Sequence, residues 1–207
     1  MCMKYNPNIH RRQSERLRTK NYSTGSYFIT ICAVNREWLF GEIRKDEMLI
    51  NKLGAIVKQC WEEIPMHFLT ASLDTFVIMP NHIHGILSLR MAEEYSGDLQ
   101  QPRRGLACQA PTDTASQISS ISAARPYRPK FGKPIPGSLP TVIGAFKSSS
   151  TRLINKLRNS PATSVWQRNY YEHAIRNNDE LQKIRMYIGE NPKHWFTDEE
   201  YSPEMRE

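Results

Sequence analysis

A chain of 207 residues is one ordinary domain with additions, long enough to bury a core without covalent staples. Its net charge of +7 favours a polyanionic partner, nucleic acid before membrane, because basic side chains release counterions from phosphates. Cys2, Cys32, Cys60 and Cys108 form no Cys-x-x-Cys pair, which argues against a zinc ribbon or a disulfide framework; with no apolar leader and no membrane-length run, a cytoplasmic protein is expected.

Residues 1–25 set Arg11, Arg12, Arg16, Arg18 and Lys20 against the single acid Glu15. Such a segment is either a frayed terminus or an arm that tracks a phosphate backbone. Residues 27–34 (YFITICAV) are β-branched and aromatic, the composition of a central strand. From 47 to 64, Leu49, Leu53, Ile56, Val57, Cys60, Trp61 and Ile64 recur at helical steps, and Pro65 is expected to close the helix. Residues 73–79 (LDTFVIM) and 82–89 (HIHGILSL) read as two strands joined by a tight hairpin at Pro80-Asn81.

Composition then changes. Residues 92–137 hold six prolines, many serines and no sustained periodicity, the mark of a flexible insertion. A helix is expected from 139 or 140 to 157, with Val142, Ile143, Phe146, Leu153, Ile154 and Leu157 on one side. Lys147, Thr151, Arg152, Asn155 and Lys156 fall on the other. No acid occurs in that segment, so its basic face suits either phosphate or plain solvation. Residues 165–175 (VWQRNYYEHAI) read as a strand. Asn177 can cap a last helix that begins near Asp179 and Glu180 and ends near Asn191-Pro192.

The resulting order, β-α-β-β-insertion-α-β-α, predicts an α+β fold: an antiparallel-rich sheet with helices packed on one face. The boundaries are a basic arm (1–25), one domain built from 26–91 and 138–196, the insertion (92–137) and a tail (197–207).

His82 and His84 stand two apart on a strand, so both imidazoles share a face while Ile83 enters the opposite layer. Two neutral imidazoles side by side make a half-site for a divalent metal, although a strand histidine is often only structural. Gly85 beside them leaves room for a ligand backbone. A third imidazole would indicate a zinc hydrolase, but His10, His67, His173 and His194 carry no ligand spacing. The third slot of a histidine triad is taken by Ile86, and no His-x-Thr or His-x-Ser pair of the two-histidine phosphoesterases occurs. Tyr187 and Asn191 share a helix face at i and i+4; by periodicity alone Tyr187 is also a core position with a wet hydroxyl.

The run 76–84 (FVIMPNHIH), the run 165–173 (VWQRNYYEH) and the run 187–192 (YIGENP), in that order, resemble the HUH single-tyrosine transposases, and within them the REP-associated tyrosine transposase branch. The resemblance spans Tyr27 to Trp195 apart from the insertion, and it implies a ferredoxin-like fold. It further implies that His82 and His84 bind Mg²⁺ or Mn²⁺, that Asn191 supplies an oxygen ligand, and that Tyr187 is the nucleophile. Tyr170 and Tyr171 fall outside the nucleophile's slot and read as structural or DNA-facing.

The activity so implied is cleavage and rejoining of single-stranded or hairpin DNA, REP-like palindromes included, by a monomer or homodimer. Arg11, Arg12, Arg16, Arg18, Lys147, Arg152 and Lys156 would contact the DNA. The alternative is a domesticated hairpin-binding module without turnover. A replication initiator or relaxase would carry a larger partner domain.

Overall fold

Alternation along the strands decides the architecture. In Gly25–Cys32 (β1), Tyr27, Ile29 and Ile31 face one layer while Phe28 and Thr30 face the other. The structure, a computed structural model, describes residues 22–90 and 135–201. The arginine arm and nearly all of the insertion therefore lie outside the described residues.

β1 sits between His82–Leu89 (β5) and Tyr171–Ile175 (β6), and Ala71–Ile78 (β4) pairs with the far side of β5. The order β4-β5-β1-β6 is antiparallel throughout, with Thr30 opposite His84 and Cys32 opposite His82. Lys52–Glu62 (α1) links β1 to β4, and Leu139–Arg158 (α3) links β5 to β6. This βαββαβ wrap is ferredoxin-like, as the sequence indicated.

Val57 and Trp61 of α1 join Val142, Ile143 and Phe146 of α3 over Tyr27, Ile29, Ile31, Ile83 and Leu87. These two helices take the single face the sequence assigned. The last α-helix, Asn178–Glu190 (α4), departs from that expectation and lies across the opposite face. Leu181, Ile184 and Ile188 recur along it at three- and four-residue steps and meet Phe28 and Ile86, so its apolar stripe has somewhere to go. Asn177 caps it as expected, its side chain accepting from Glu180 N at 2.8 Å.

Three local expectations change. The helix expected over 47–64 begins only at Lys52, because Asn51 Oδ1 accepts from Leu53 N at 2.8 Å and Gly54 N at 3.0 Å and so sets the N-cap. Glu47–Ile50 (β3) pairs instead with Gly41–Arg44 (β2) around Lys45 and Asp46, both left-handed at φ 51° and 63°. Pro65 does not close α1 but sits in the first turn of a short helix, Ile64–His67 (α2), where its missing N–H costs nothing.

The strand expected over 165–175 is also shorter. Val165 and Trp166 extend the end of β1 through an Ala33–Trp166 bridge, and Gln167 N donates to Cys32 O at 2.9 Å. The Lys147 ammonium then gathers the carbonyls of Gln167, Arg168 and Asn169, turning the chain before β6. Along α3, Leu157 is exposed rather than packed, whereas Asn155 is buried and donates to Thr163 O at 2.8 Å. No helix among the described residues is long and apolar enough to cross a membrane.

Candidate active site

Because β5 alternates, Ile83 and Leu87 enter the α1/α3 core while His82 and His84 point to the α4 side, both fully buried. Gly85 serves that division. A Cβ there would stand 2.5 Å from Trp61 Cζ2, so the missing side chain admits the indole of α1 rather than a ligand backbone. The two imidazole centroids lie 4.4 Å apart with their planes at 67°.

Each ring is held through Nδ1. Asn81 turns its amide nitrogen to the carbonyls of Arg36 (3.2 Å) and Glu200 (2.8 Å), which leaves Oδ1 facing His82 Nδ1 at 2.8 Å. An amide oxygen can only accept, so His82 Nδ1 carries the proton and Nε2 keeps its lone pair. His84 Nδ1 meets Thr30 Oγ1 at 2.8 Å on the neighbouring strand, and its ring stacks on Phe28 with centroids 5.3 Å apart. Hydrogen bonds at the far nitrogen that fix orientation and tautomer are the support metal-binding imidazoles require. In the sequence Asn81 stands out only as a turn residue, because the carbonyls that orient its amide come from distant segments.

α4 brings Tyr187 to this pair. Its hydroxyl lies 3.4 Å from His84 Nε2 and 3.5 Å from Asp198 Oδ2, and its ring packs edge-on against Phe28. Tyr187 is 43% exposed, so the hydroxyl is reached from solvent as well as from the histidines. A bidentate pair from Arg185 to Asp74 (3.0 and 2.6 Å) fastens α4 to β4 and holds the Asp74 carboxyl below its ordinary range. At the other end of α4, His173 Nε2 meets Glu180 Oε1 at 2.7 Å, a helix-docking contact rather than a metal ligand.

Asn191 is buried at the end of α4. Its Nδ2 donates to Asp198 Oδ2 at 2.9 Å, and its Oδ1 is buried with no hydrogen-bond partner among the described residues. Asp198 itself escaped the sequence reading, which assigned it to the tail. A 3-10 turn, Asn191–Thr197, reverses the chain and carries the carboxylate back to the histidines. Ligand atoms of His82, His84 and Asp198 all lie within 4.8 Å of one another. Residues 198–201 are fixed there: Arg36 pairs with Glu200 at 2.6 Å, Glu200 N donates to Asp198 Oδ1 at 2.6 Å, and Trp195 packs between Trp38 and Tyr201. Burial, then the Glu200 carboxylate, pushes the Cys32 thiol well up, which keeps it protonated beside the site.

Two imidazoles and a carboxylate suit a divalent cation, and the buried, unsatisfied Asn191 Oδ1 offers a further hard oxygen, so the residues present fit such an ion. Tyr170 packs on the α1/α3 core and Tyr171 on Phe28, each of them half-buried. Arg152 and Lys156 are exposed on α3. Lys147 is not presented in that way, since its half-buried ammonium is occupied by loop carbonyls and burial lowers its pKa.

Over 202 residues the chain is 42% identical to an uncharacterized protein of Haemophilus influenzae strain Rd, covering 97% of this chain and 99% of that one. No protein-family model matches the sequence. Among solved structures it is similar to a REP-associated tyrosine transposase bound to a REP hairpin, with a TM-score of 0.49, 17% identity and coverage of 84% of this chain and 72% of that one. It is also similar to a candidate transposase of Deinococcus radiodurans R1, with a TM-score of 0.41, 14% identity and coverage of 83% and 93%.

Proposed function

From a chain that belongs to the family of the Haemophilus influenzae protein, whose description carries no activity, we propose a function on the strength of the site itself. The protein cleaves and rejoins single-stranded or hairpin DNA through a covalent 5′-phosphotyrosine at Tyr187, with a divalent cation. The observation that carries this reading is the Tyr187 hydroxyl, 3.4 Å from a buried histidine pair and 3.5 Å from the carboxylate that completes its donor set. A metal half-site alone fits many chemistries. A phenol held at its edge narrows them to phosphoryl transfer onto the protein.

His82 and His84 through Nε2, with Asp198 and the Oδ1 of Asn191, are the residues that would hold Mg²⁺ or Mn²⁺. Such an ion supplies positive charge to the scissile phosphate and offsets charge in the transition state. Tyr187 Oη attacks phosphorus in line; the bond to the 3′ oxygen breaks, leaving a free 3′-OH and the 5′ phosphate esterified to the tyrosine. The Tyr187 phenol must give up its proton as its oxygen attacks. Asp198 Oδ2 is the carboxylate oxygen towards which it donates, and catalytic hydrogen bonds of this length tighten with substrate bound. Return of a 3′-OH to the phosphotyrosine reverses the step and rejoins a strand. Arg152 and Lys156, with Arg11, Arg12, Arg16 and Arg18, are the proposed phosphate contacts, and exposed Phe196 offers a ring on which an unpaired base can stack.

The test is an SDS-resistant adduct between the protein and a labelled hairpin oligonucleotide in Mn²⁺. Tyr187→Phe is expected to lose the adduct entirely while keeping hairpin binding within about twofold, since the change removes one partly exposed oxygen. An adduct surviving in that variant would move the nucleophile elsewhere. Tight hairpin binding with no adduct from the unaltered protein would make it a binding module.

A further inference from the structure

Outside the site just described, a concavity with a consistent chemistry lies against the outer face of α3. A groove of about 490 Å³ runs between α3 and the loop 162–168. Lys147, Arg152 and Arg168 line it, together with the hydroxyls of Ser148, Thr151, Thr163 and Ser164, and no carboxylate lines it among the described residues. We propose that this groove is a cradle for the backbone of an unpaired DNA strand flanking the hairpin, with Arg152 on the helix wall and Arg168 on the loop wall gripping successive phosphates. The proposal rests on the DNA-processing reading above and extends it to a second contact surface.

The groove is built, not incidental. Asn155, buried at its floor, donates to Thr163 O at 2.8 Å, and Lys147 spans to the carbonyls of Arg168 (3.1 Å) and Asn169 (3.5 Å). Two side chains of α3 thus fix the loop wall at both ends. Immediately before the first of these anchors, Ala162 is held at φ 65°, a left-handed conformation that a residue with a Cβ rarely adopts. Lys147 therefore shapes the wall instead of meeting phosphate, and the ligand-facing charge passes to exposed Arg152 and Arg168.

Position favours a single strand that is continuous with the active site. Gln167 on the loop wall donates to Cys32 O, and Cys32 is the strand partner of His82. The groove wall and the histidine pair are thus two strand spacings apart, roughly 10 Å. A strand leaving the scissile phosphate passes the end of the sheet and arrives in a basic concavity. A groove that follows one backbone, with guanidinium groups on both walls, matches single-stranded recognition better than the convex surface of a stem.

The experiment measures binding of two fluorescent hairpins, one blunt and one carrying an unpaired tail, by anisotropy across a salt series. Unaltered protein, Arg168→Gln and Arg152→Gln are compared, all with EDTA so that no cleavage intervenes. Unaltered protein is expected to prefer the tailed hairpin about tenfold, and each variant to lose about fivefold on it while lowering its salt slope by about 0.7, the value of one phosphate on a single strand. The tail preference should shrink accordingly. Equal losses on both hairpins would assign the groove to the stem, and a tail preference untouched in both variants would leave the tail bound elsewhere; either result overturns the proposal. If the unaltered protein forms the Tyr187 adduct yet the variants behave like it, only the groove assignment falls. If it binds neither hairpin, both readings fall together.

Discussion

The two faces of the sheet are built to different rules although they share every strand. On the α1/α3 face the side chains are apolar and interlocked, down to a glycine whose missing Cβ makes room for an indole. On the α4 face a small apolar cluster around Phe28, Ile86 and Ile188, with Trp195 against His82, shares the layer with imidazole, hydroxyl, amide and carboxylate groups. Adjacent residues of β5 therefore do different jobs. Ile83 contributes to folding, whereas His82 and His84 spend buried volume on polar groups that need partners to remain there.

Substituting neighbours on β5 should separate the two roles most sharply. Ile83→Ala is expected to lower the unfolding free energy by about 2–5 kcal/mol, the usual cost of emptying a core isoleucine, with Mn²⁺ binding by the folded protein retained. His84→Ala should do the reverse, abolishing Mn²⁺ binding and the DNA adduct with a smaller change in stability. Denaturant midpoints beside calorimetric Mn²⁺ titration measure both. Equal losses of stability and metal binding in each variant would mean the faces are not independent.

A smaller effect is expected one residue outside the strand. Asn81 touches no proposed substrate atom but fixes His82 by accepting at Oδ1 while its amide nitrogen serves two carbonyls. Asn81→Ala should weaken Mn²⁺ affinity about 10–100-fold, the range for losing a group that orients a metal-binding histidine. Asn81→Asp keeps the acceptor towards His82 but sets an oxygen against the Arg36 and Glu200 carbonyls. It should therefore lower stability while its folded form binds Mn²⁺ more tightly than that of Asn81→Ala. Equal affinities in the two variants would make the role of Asn81 purely structural.

The same division explains what the sequence made legible. Period-two alternation in β1 and β5, the 3.6-residue stripes of α3 and α4, and the Asn177 cap are local signals, and each led to the element found. The histidine pair was readable because two residues on one strand must share a face. The β2–β3 hairpin was not, because its turn uses Lys45-Asp46 in place of a glycine-bearing pair, and Leu49 and Ile50 blended into the helical pattern after them. Asp198 carried no signal at all. It reaches the histidines through a chain reversal after α4 and through the Arg36–Glu200 pair, which joins residues far apart in the sequence. The partners of Lys147 are illegible for a related reason: helical periodicity places it on the outer face of α3, but the carbonyls its ammonium meets begin twenty residues further on.

The attachment of α4 gives the last and smallest contrast, because this helix is fastened to the sheet partly by charge while α1 and α3 are fastened by burial. Arg185 holds the Asp74 carboxyl below its ordinary value of about 3.9. A carboxylate with a depressed folded-state pKa contributes stability that is complete above the unfolded value and disappears as pH falls through the folded one. Amide-exchange protection in α4, around Ile184 to Ile188, should therefore decline on acidification from about pH 5 towards pH 3 before that of α3 does. Asp74→Asn should start lower and lose most of this pH dependence, because the uncharged amide has no proton to gain. Asp74 and Arg185 are both partly exposed, so added salt should weaken the contact in the unaltered protein and scarcely affect the variant. A decline in α4 that persists unchanged in Asp74→Asn would place the acid sensitivity in another group, with the Glu180–His173 contact at the start of the helix the next to examine.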